Sequence, residues 1–322
     1  MTTLFISLIA RDLEEFLAYK RGLGRYGNGR EELRFRSFDR FVAEHAHDRR
    51  RFDLQDTVAR WLSRTEGRKA RTLEVELTLM RQFARFLHRR NPDRIVLDAE
   101  RLPRLPRRPR FMPYIFSPKD IRCLLRETRT MRPPPFRALT FRTMVLVLFC
   151  TGLRPGEAVR LTLGDTDLRA RTFFIRKSKG NKSRWVPFHD ALARRLREYV
   201  EIRATVVPAS PNAPLFVRPK GQAYSAGLSS WILRHLFRRA GFKPASGRVG
   251  PRPYDLRHSF AIHCLTRWYR EGVDLHARLP WLSTYMGHED LLGTEWYLRA
   301  TPELMRFASR RFAARFHRRE RA

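Results

Sequence analysis

The chain has 322 residues, 43% of them hydrophobic, and a formal net charge of +34. That apolar content builds real cores and excludes a disordered basic tail. The charge points to a polyanionic partner, since each phosphate neutralised releases condensed counterions. Only eight of the 66 basic residues are lysine, so arginine-favouring codons account for part of the excess but not for its sign. Cys123, Cys150 and Cys264 show no metal-ligand spacing and are expected as buried free thiols in a reducing cytoplasm. The start of the chain has an apolar stretch but neither a basic n-region nor a small-residue cleavage site, so no signal peptide is expected. The longest apolar run, residues 144–150, is too short to span a bilayer, so no membrane partner and a cytoplasmic, nucleoid-associated location are expected.

Residues 1–101 read as a helical bundle with one basic face. Segments near 3–22, 30–46, 54–64 and 72–90 carry apolar residues at helical spacing, and Leu73, Leu77, Met80, Ala84 and Leu87 form one stripe. Residues 102–116 break this pattern. Four prolines between 103 and 113 alternate with arginines, including Arg104, Arg107 and Arg108, which predicts an extended basic connector suited to DNA contact. Ser117-Pro-Lys-Asp120 opens a second domain, 117–322, with a helix start. A buried helix is predicted over 138–150. Strands over 172–177 and 184–188 flank Lys179-Gly-Asn-Lys182 as a β-hairpin. Helices follow near 190–204, 225–240, 256–271, 278–286, 290–299 and 302–316. The expected fold class is mainly α with a small β-hairpin or sheet: a helical bundle followed by an α+β domain.

The second domain carries residues suited to phosphodiester exchange, which must neutralise a phosphorane, supply a nucleophile and protonate the leaving oxygen. In Thr151-Gly-Leu-Arg154-Pro-Gly-Glu157, a helix start puts Glu157 on the face of Arg154, where its carboxylate can orient the guanidinium toward a phosphate. Three of the eight lysines fall within residues 177–182. Unlike arginine, lysine can give up its proton, and on a hairpin tip Lys179 can reach a leaving 5′-oxygen. Lys177 and Lys182 suit contact with the DNA backbone. Tyr254-Asp-Leu-Arg257-His258 starts a helix and offers Arg257 as a second arm of the clamp. His258 either bonds a carbonyl in the core or joins the chemistry. His288 follows Gly287, and Tyr297 lies nine residues on across a helix, so both side chains can return to one cleft. No metal site is expected.

With these residues in this order, the chain resembles the tyrosine recombinase (phage integrase) family over roughly residues 115–305, and more loosely over its helical N-terminal half. The family pattern is Arg, Lys, His-x-x-Arg, His or Trp, then Tyr. Arg154, Lys179, Arg257, His288 and Tyr297 match it. One position departs: Tyr254 stands where the family has histidine. A phenol has a reference pKa near 10, which makes it a poor base but a hydrogen-bond donor. The stretches around Gly287-His288 and Trp296-Tyr297 look closest to recombinases of transposons and integrative elements.

The resemblance implies a core-binding (SAM-like) domain over 1–101, a linker over 102–116 and a catalytic domain over 117–322, closing as a clamp on double-stranded DNA. It implies that Tyr297 attacks the scissile phosphate to form a 3′-phosphotyrosyl bond. Arg154, Arg257 and His288 then stabilise the phosphorane, and Lys179 protonates the 5′-hydroxyl. No metal, ATP or other cofactor is implied. A homotetramer on paired sites, or an assembly with sibling recombinases, is the implied partner state, and the amphipathic tail after residue 302 is expected to dock on its own domain or on a neighbour. Two other readings fit the same residues: a type IB topoisomerase-like enzyme, and a catalytically impaired relative that binds DNA and assists assembly.

Overall fold

In a computed structural model the described residues are 5–24, 29–48, 50–64, 66–92, 97–106, 112–131, 134–176, 182–247, 249–288, 292–295 and 297, with 309 and 313 as isolated positions. The chain divides into two compact units, Met1–Arg110 and Phe111–Ala322.

The first unit packs four helices: α1 (Ala10–Gly22), α2 (Arg30–His45), α3 (Leu54–Ser63) and α4 (Ala70–Arg90). Their apolar faces meet around Phe16, Phe35, Phe38, Trp61 and Phe83, all buried, with the Phe38 and Trp61 rings edge to face at 5.0 Å. The α1 helix starts at Ala10, later than its apolar pattern predicts. The Asp39 carboxylate of α2 accepts the backbone N–H of Ile6 at 2.7 Å and of Ser7 at 3.1 Å. That capture holds the segment out of the helix while Phe5 and Ile9 are buried in the core. On α4 the buried face is Leu73, Glu76, Leu79, Met80, Phe83, Ala84 and Leu87, with Leu77 half-buried at its edge. Glu76 is tolerated there because Arg68 pairs with it. Leu102 packs into this core.

The second unit begins with the capping box that Ser117 and Asp120 form on α5 (Pro118–Glu127). A 3₁₀ turn (Thr128–Thr130) leads to α6 (Pro135–Thr151). This helix is apolar nearly all round and runs through the core, with Phe141, Met144, Val145, Val147 and Leu148 buried. A single turn, α7 (Pro155–Ala158), precedes a three-stranded antiparallel sheet, β1 (Thr166–Asp167), β2 (Thr172–Ile175) and β3 (Arg184–Pro187), in that order. The predicted hairpin is the β2–β3 pair, with Phe173 opposite Val186. The short strand β1 has too little alternation to be read in advance. Then come α8 (Asp190–Val206), α9 (Ala226–Arg239), α10 (Asp255–Arg270), α11 (Leu275–Met286) and α12 (Leu292–Glu295). The predicted tail helix over 302–316 lies outside the described residues, save for its two isolated positions. The segment before α5 is tied to α10: Ser259 Oγ accepts the Phe116 N–H at 2.8 Å, and His263 Nε2 meets the Phe116 carbonyl at 2.7 Å.

The cysteines are free, but none is buried as expected. Cys150 is exposed and the other two are half-buried. Cys150 sits in the last turn of α6, where that helix emerges beside a groove also lined by Cys264 and Tyr285. No helix among the described residues is long and apolar enough to cross a membrane.

Candidate active site

Four chain segments converge in the second unit: the α6–α7 junction, the first turn of α10, the end of α11, and the segment holding Tyr297. Glycines make two of these junctions possible. Gly152 ends α6 in the left-handed conformation, φ 62°, and a Cβ there would lie 2.4 Å from the Phe260 ring. Gly287 ends α11 in the same way at φ 67°, and a Cβ there would lie 2.9 Å from the Arg184 guanidinium. Both carbonyls are used. Arg257 donates from Nη1 to the Gly152 carbonyl at 2.7 Å and from Nη2 to the Met286 carbonyl at 2.6 Å. Arg154 donates to the Gly287 carbonyl at 2.8 Å. The two arginines thus stitch the ends of α6 and α11 together while their guanidiniums share one cleft.

Glu157 orients Arg154 as its spacing predicts. Its carboxylate accepts the Arg154 side chain at 2.7 Å and the Arg154 backbone N–H at 3.0 Å. A third arginine, not singled out in the sequence, completes this arrangement. Arg184 on β3 donates two bonds to Glu157, at 3.1 and 2.9 Å, and a third to the Tyr285 carbonyl at 2.8 Å. The Glu157 side chain is 1% exposed, so this carboxylate is buried between two cations. The sequence signal for Arg184 is its inward position on a strand, which the abundance of arginine hides.

Tyr254 caps α10 at the rim and is 36% exposed. It interacts with Arg154. Arg257 is 0% exposed and Tyr297 2%, so they form the floor of the cleft. The Arg257 Nε has no hydrogen-bond partner among the described residues. His258 faces the cleft: its Nδ1 lies 3.1 Å from the Tyr297 hydroxyl. Its Nε2 lies 4.0 Å from Asp255, and that carboxylate is held by the backbone N–H of Arg252 at 2.9 Å and its guanidinium at 3.0 Å. His288 is fixed by a 2.7 Å bond between its Nδ1 and buried Thr294, with its ring 6.1 Å from that of Tyr297. Burial pushes the Tyr297 phenol up to about 12, although Arg257 and Arg154 oppose this. Burial, helped by Arg252, Arg257 and His288, pushes His258 down to about 4. At neutral pH the tyrosine is therefore protonated and the histidine neutral.

The structure brings together Arg154, Glu157, Tyr254, Arg257, His258, His288 and Tyr297. Lys182 is exposed in the connection before β3, and Arg104 is exposed in the first unit. Lys177, Lys179, Arg107 and Arg108 lie outside the described residues, as does Trp296. No group of three or more potential metal ligands occurs among the described residues.

The sequence pattern of the phage integrase family matches residues 116–303. The integrase/recombinase-type protein y4rB of Sinorhizobium fredii is 33% identical over 97% of this chain and 99% of that protein. Tyrosine recombinase XerA of Thermococcus kodakarensis is 31% identical over 76% of each chain. Among solved structures, the Tn1549 transposon integrase in complex with transposon right end DNA shares the fold, with TM-score 0.66, 16% identity, and coverage of 94% of this chain and 99% of that one. The chain belongs to the phage integrase family and is, in class, a tyrosine-type site-specific recombinase.

Proposed function

We propose that this protein cuts and rejoins double-stranded DNA at specific sites through a 3′-phosphotyrosyl intermediate, as the integrase of a mobile element. The observation that carries this reading is the Tyr297 hydroxyl. It lies 3.1 Å from a histidine nitrogen and against the guanidinium of Arg257, in a cleft that Arg154 also lines. Tyr297 Oη attacks phosphorus as the bond to O5′ breaks. Arg154, Arg257 and His288 donate to the non-bridging oxygens, where preorganised donors in a water-poor cleft are worth most. Lys179 gives its proton to O5′. The 5′-hydroxyl of a partner strand then attacks the phosphotyrosine and releases Tyr297. One phosphodiester is exchanged for another at each stage, so the balance needs neither ATP nor a metal. A net charge of +34 favours DNA as partner. Arg104, Arg107, Arg108, Lys177 and Lys182 add backbone contacts. The domain division is a core-binding domain, a basic strap and a catalytic domain. A homotetramer, or an assembly with sibling recombinases, works on paired sites.

The test is to incubate wild type and Tyr297→Phe with nicked duplexes from the sequences flanking its gene. A covalent adduct on a denaturing gel in wild type alone supports the reading. Tight binding without an adduct favours an assembly partner disabled at Tyr254. Relaxation of any plasmid regardless of sequence favours a topoisomerase.

A further inference from the structure

The proposed reaction needs a base for Tyr297, because its buried phenol keeps its proton at neutral pH. Tyr254 stands where the family places a histidine, and its phenol is turned toward Arg154. Glu157 is occupied by two arginines, and the Nδ1 of His288 by Thr294. A nitrogen that can accept a proton lies next to the Tyr297 hydroxyl: Nδ1 of His258, one helical turn beyond Tyr254 on the same face of α10, with the two rings 5.1 Å apart. Behind it stands Asp255, buried, 4.0 Å from Nε2 and held in place by Arg252. Tyr297, His258 and Asp255 are thus neighbours in that order, with a base beside a hydroxyl and a carboxylate behind the base, the arrangement that activates a nucleophile.

We propose that His258 is the general base for Tyr297, taking over one turn along α10 the work for which Tyr254 is unsuited, and that Asp255 is its positioning residue. This rests on the function proposed above. The imidazole carries its proton on Nε2, toward Asp255, and Nδ1 is the acceptor. As Tyr297 Oη bonds to phosphorus, its proton moves to Nδ1. The bond to O5′ breaks, and O5′ takes a proton from a separate acid. On religation the proton returns from Nδ1 to Tyr297. The groups facing His258 are Asp255, Arg252, Arg257, His288, Tyr254 and Tyr297. Without substrate, burial first and then the fields of Arg252, Arg257 and His288 keep the ring neutral, which is the form a base needs. A phosphate dianion-like centre on Arg154 and Arg257 offsets their field as the imidazolium forms, and Asp255 stabilises it. Tyr254 then serves the clamp by contact with Arg154.

The experiment measures single-turnover adduct formation across pH by the full-length protein on a nicked duplex from the flanks of its gene. It uses both an ordinary phosphodiester and a 5′-bridging phosphorothiolate, whose thiolate leaves without an acid. Loss of a general base costs about 10²- to 10⁴-fold. His258→Gln is expected to lose activity on this scale on both substrates. Its residual rate climbs with pH toward phenol ionisation, where wild type has levelled off. Asp255→Asn loses less but moves the wild-type inflection, a change that mere loosening of structure does not produce. Tyr254→Phe, which loses its contact with Arg154, lowers the rate but leaves the pH inflection where wild type has it, and adding Tyr254→His to His258→Gln restores part of the rate. Each variant must match wild type in circular dichroism, and His258→Asn replaces His258→Gln if that fails. A wild-type rate in His258→Gln, or its recovery on the phosphorothiolate, overturns this inference alone. A wild type that forms no adduct overturns the proposed function with it.

Discussion

Replacing Arg184 by methionine tests how the proposed phosphate clamp is built. Methionine keeps much of the stem's packing but removes the guanidinium. Glu157 then loses two of the four hydrogen bonds described above while its side chain remains 1% exposed. Removing one partner of a buried ion pair costs about 3–5 kcal/mol. Glu157 keeps Arg154 and a backbone N–H, so the low end, about 3 kcal/mol, applies here. For a domain of this size each kcal/mol moves the melting midpoint by about 2–4 °C, which gives a loss of about 6–12 °C. Glu157→Gln alone leaves Arg154 and Arg184 facing each other without their shared anion and is expected to cost a similar amount. The double variant Glu157→Gln/Arg184→Met should cost clearly less than the sum, with a coupling of about 2 kcal/mol. Thermal melts of the four proteins, followed through the transition of the second unit, give the cycle. A shift below about 2 °C for Arg184→Met, or singles that simply add, would refute the claim that Arg184 holds Glu157 and thereby Arg154.

Tyr297→Phe is expected to bind DNA as wild type does and to form no adduct, checked by gel shift beside a denaturing gel. Gly152→Ala puts a methyl against Phe260 at a left-handed position, and a cost of about 2–4 kcal/mol should appear as a lower denaturant midpoint. His258 is held below its unfolded value of 6.5, to about 4. The unfolded chain therefore binds the proton first, and stability is full above the unfolded pKa. It falls as pH drops from about 6.5 toward about 4, by roughly 3 kcal/mol in all. In His258→Gln this part of the pH dependence should vanish from denaturation curves. Adduct formation should survive EDTA, and a loss of rate on chelation would contradict the arginine-based mechanism.

Much of the site is legible in the chain because it rests on local spacing. Arg154 and Glu157 are three residues apart at a helix start, and Arg257 and His258 lie in the first turn of another. The glycines at 152 and 287 stand where helices must end. The helices of both units follow from apolar residues recurring at helical spacing, except where a distant group intervenes. Asp39 captures the backbone of Ile6 and Ser7, which delays α1 in a way no local pattern contains.

Strand register and long-range closure are different in kind. Arg184 is one of 58 arginines until β3 pairs with β2 and turns it inward, onto a carboxylate 27 residues earlier. Tyr254 and His258 share a helical face, so spacing alone gives either of them to the proposed nucleophile. Only the return of the chain over 39 residues, which brings the Tyr297 hydroxyl to His258, chooses between them. The amino-acid sequence by itself determined the family, the helical elements and the types of group at the site, because these depend on residues near one another in the chain. Which of those groups touch was decided by tertiary packing, since side chains far apart in sequence meet only where the buried core leaves them a common cleft.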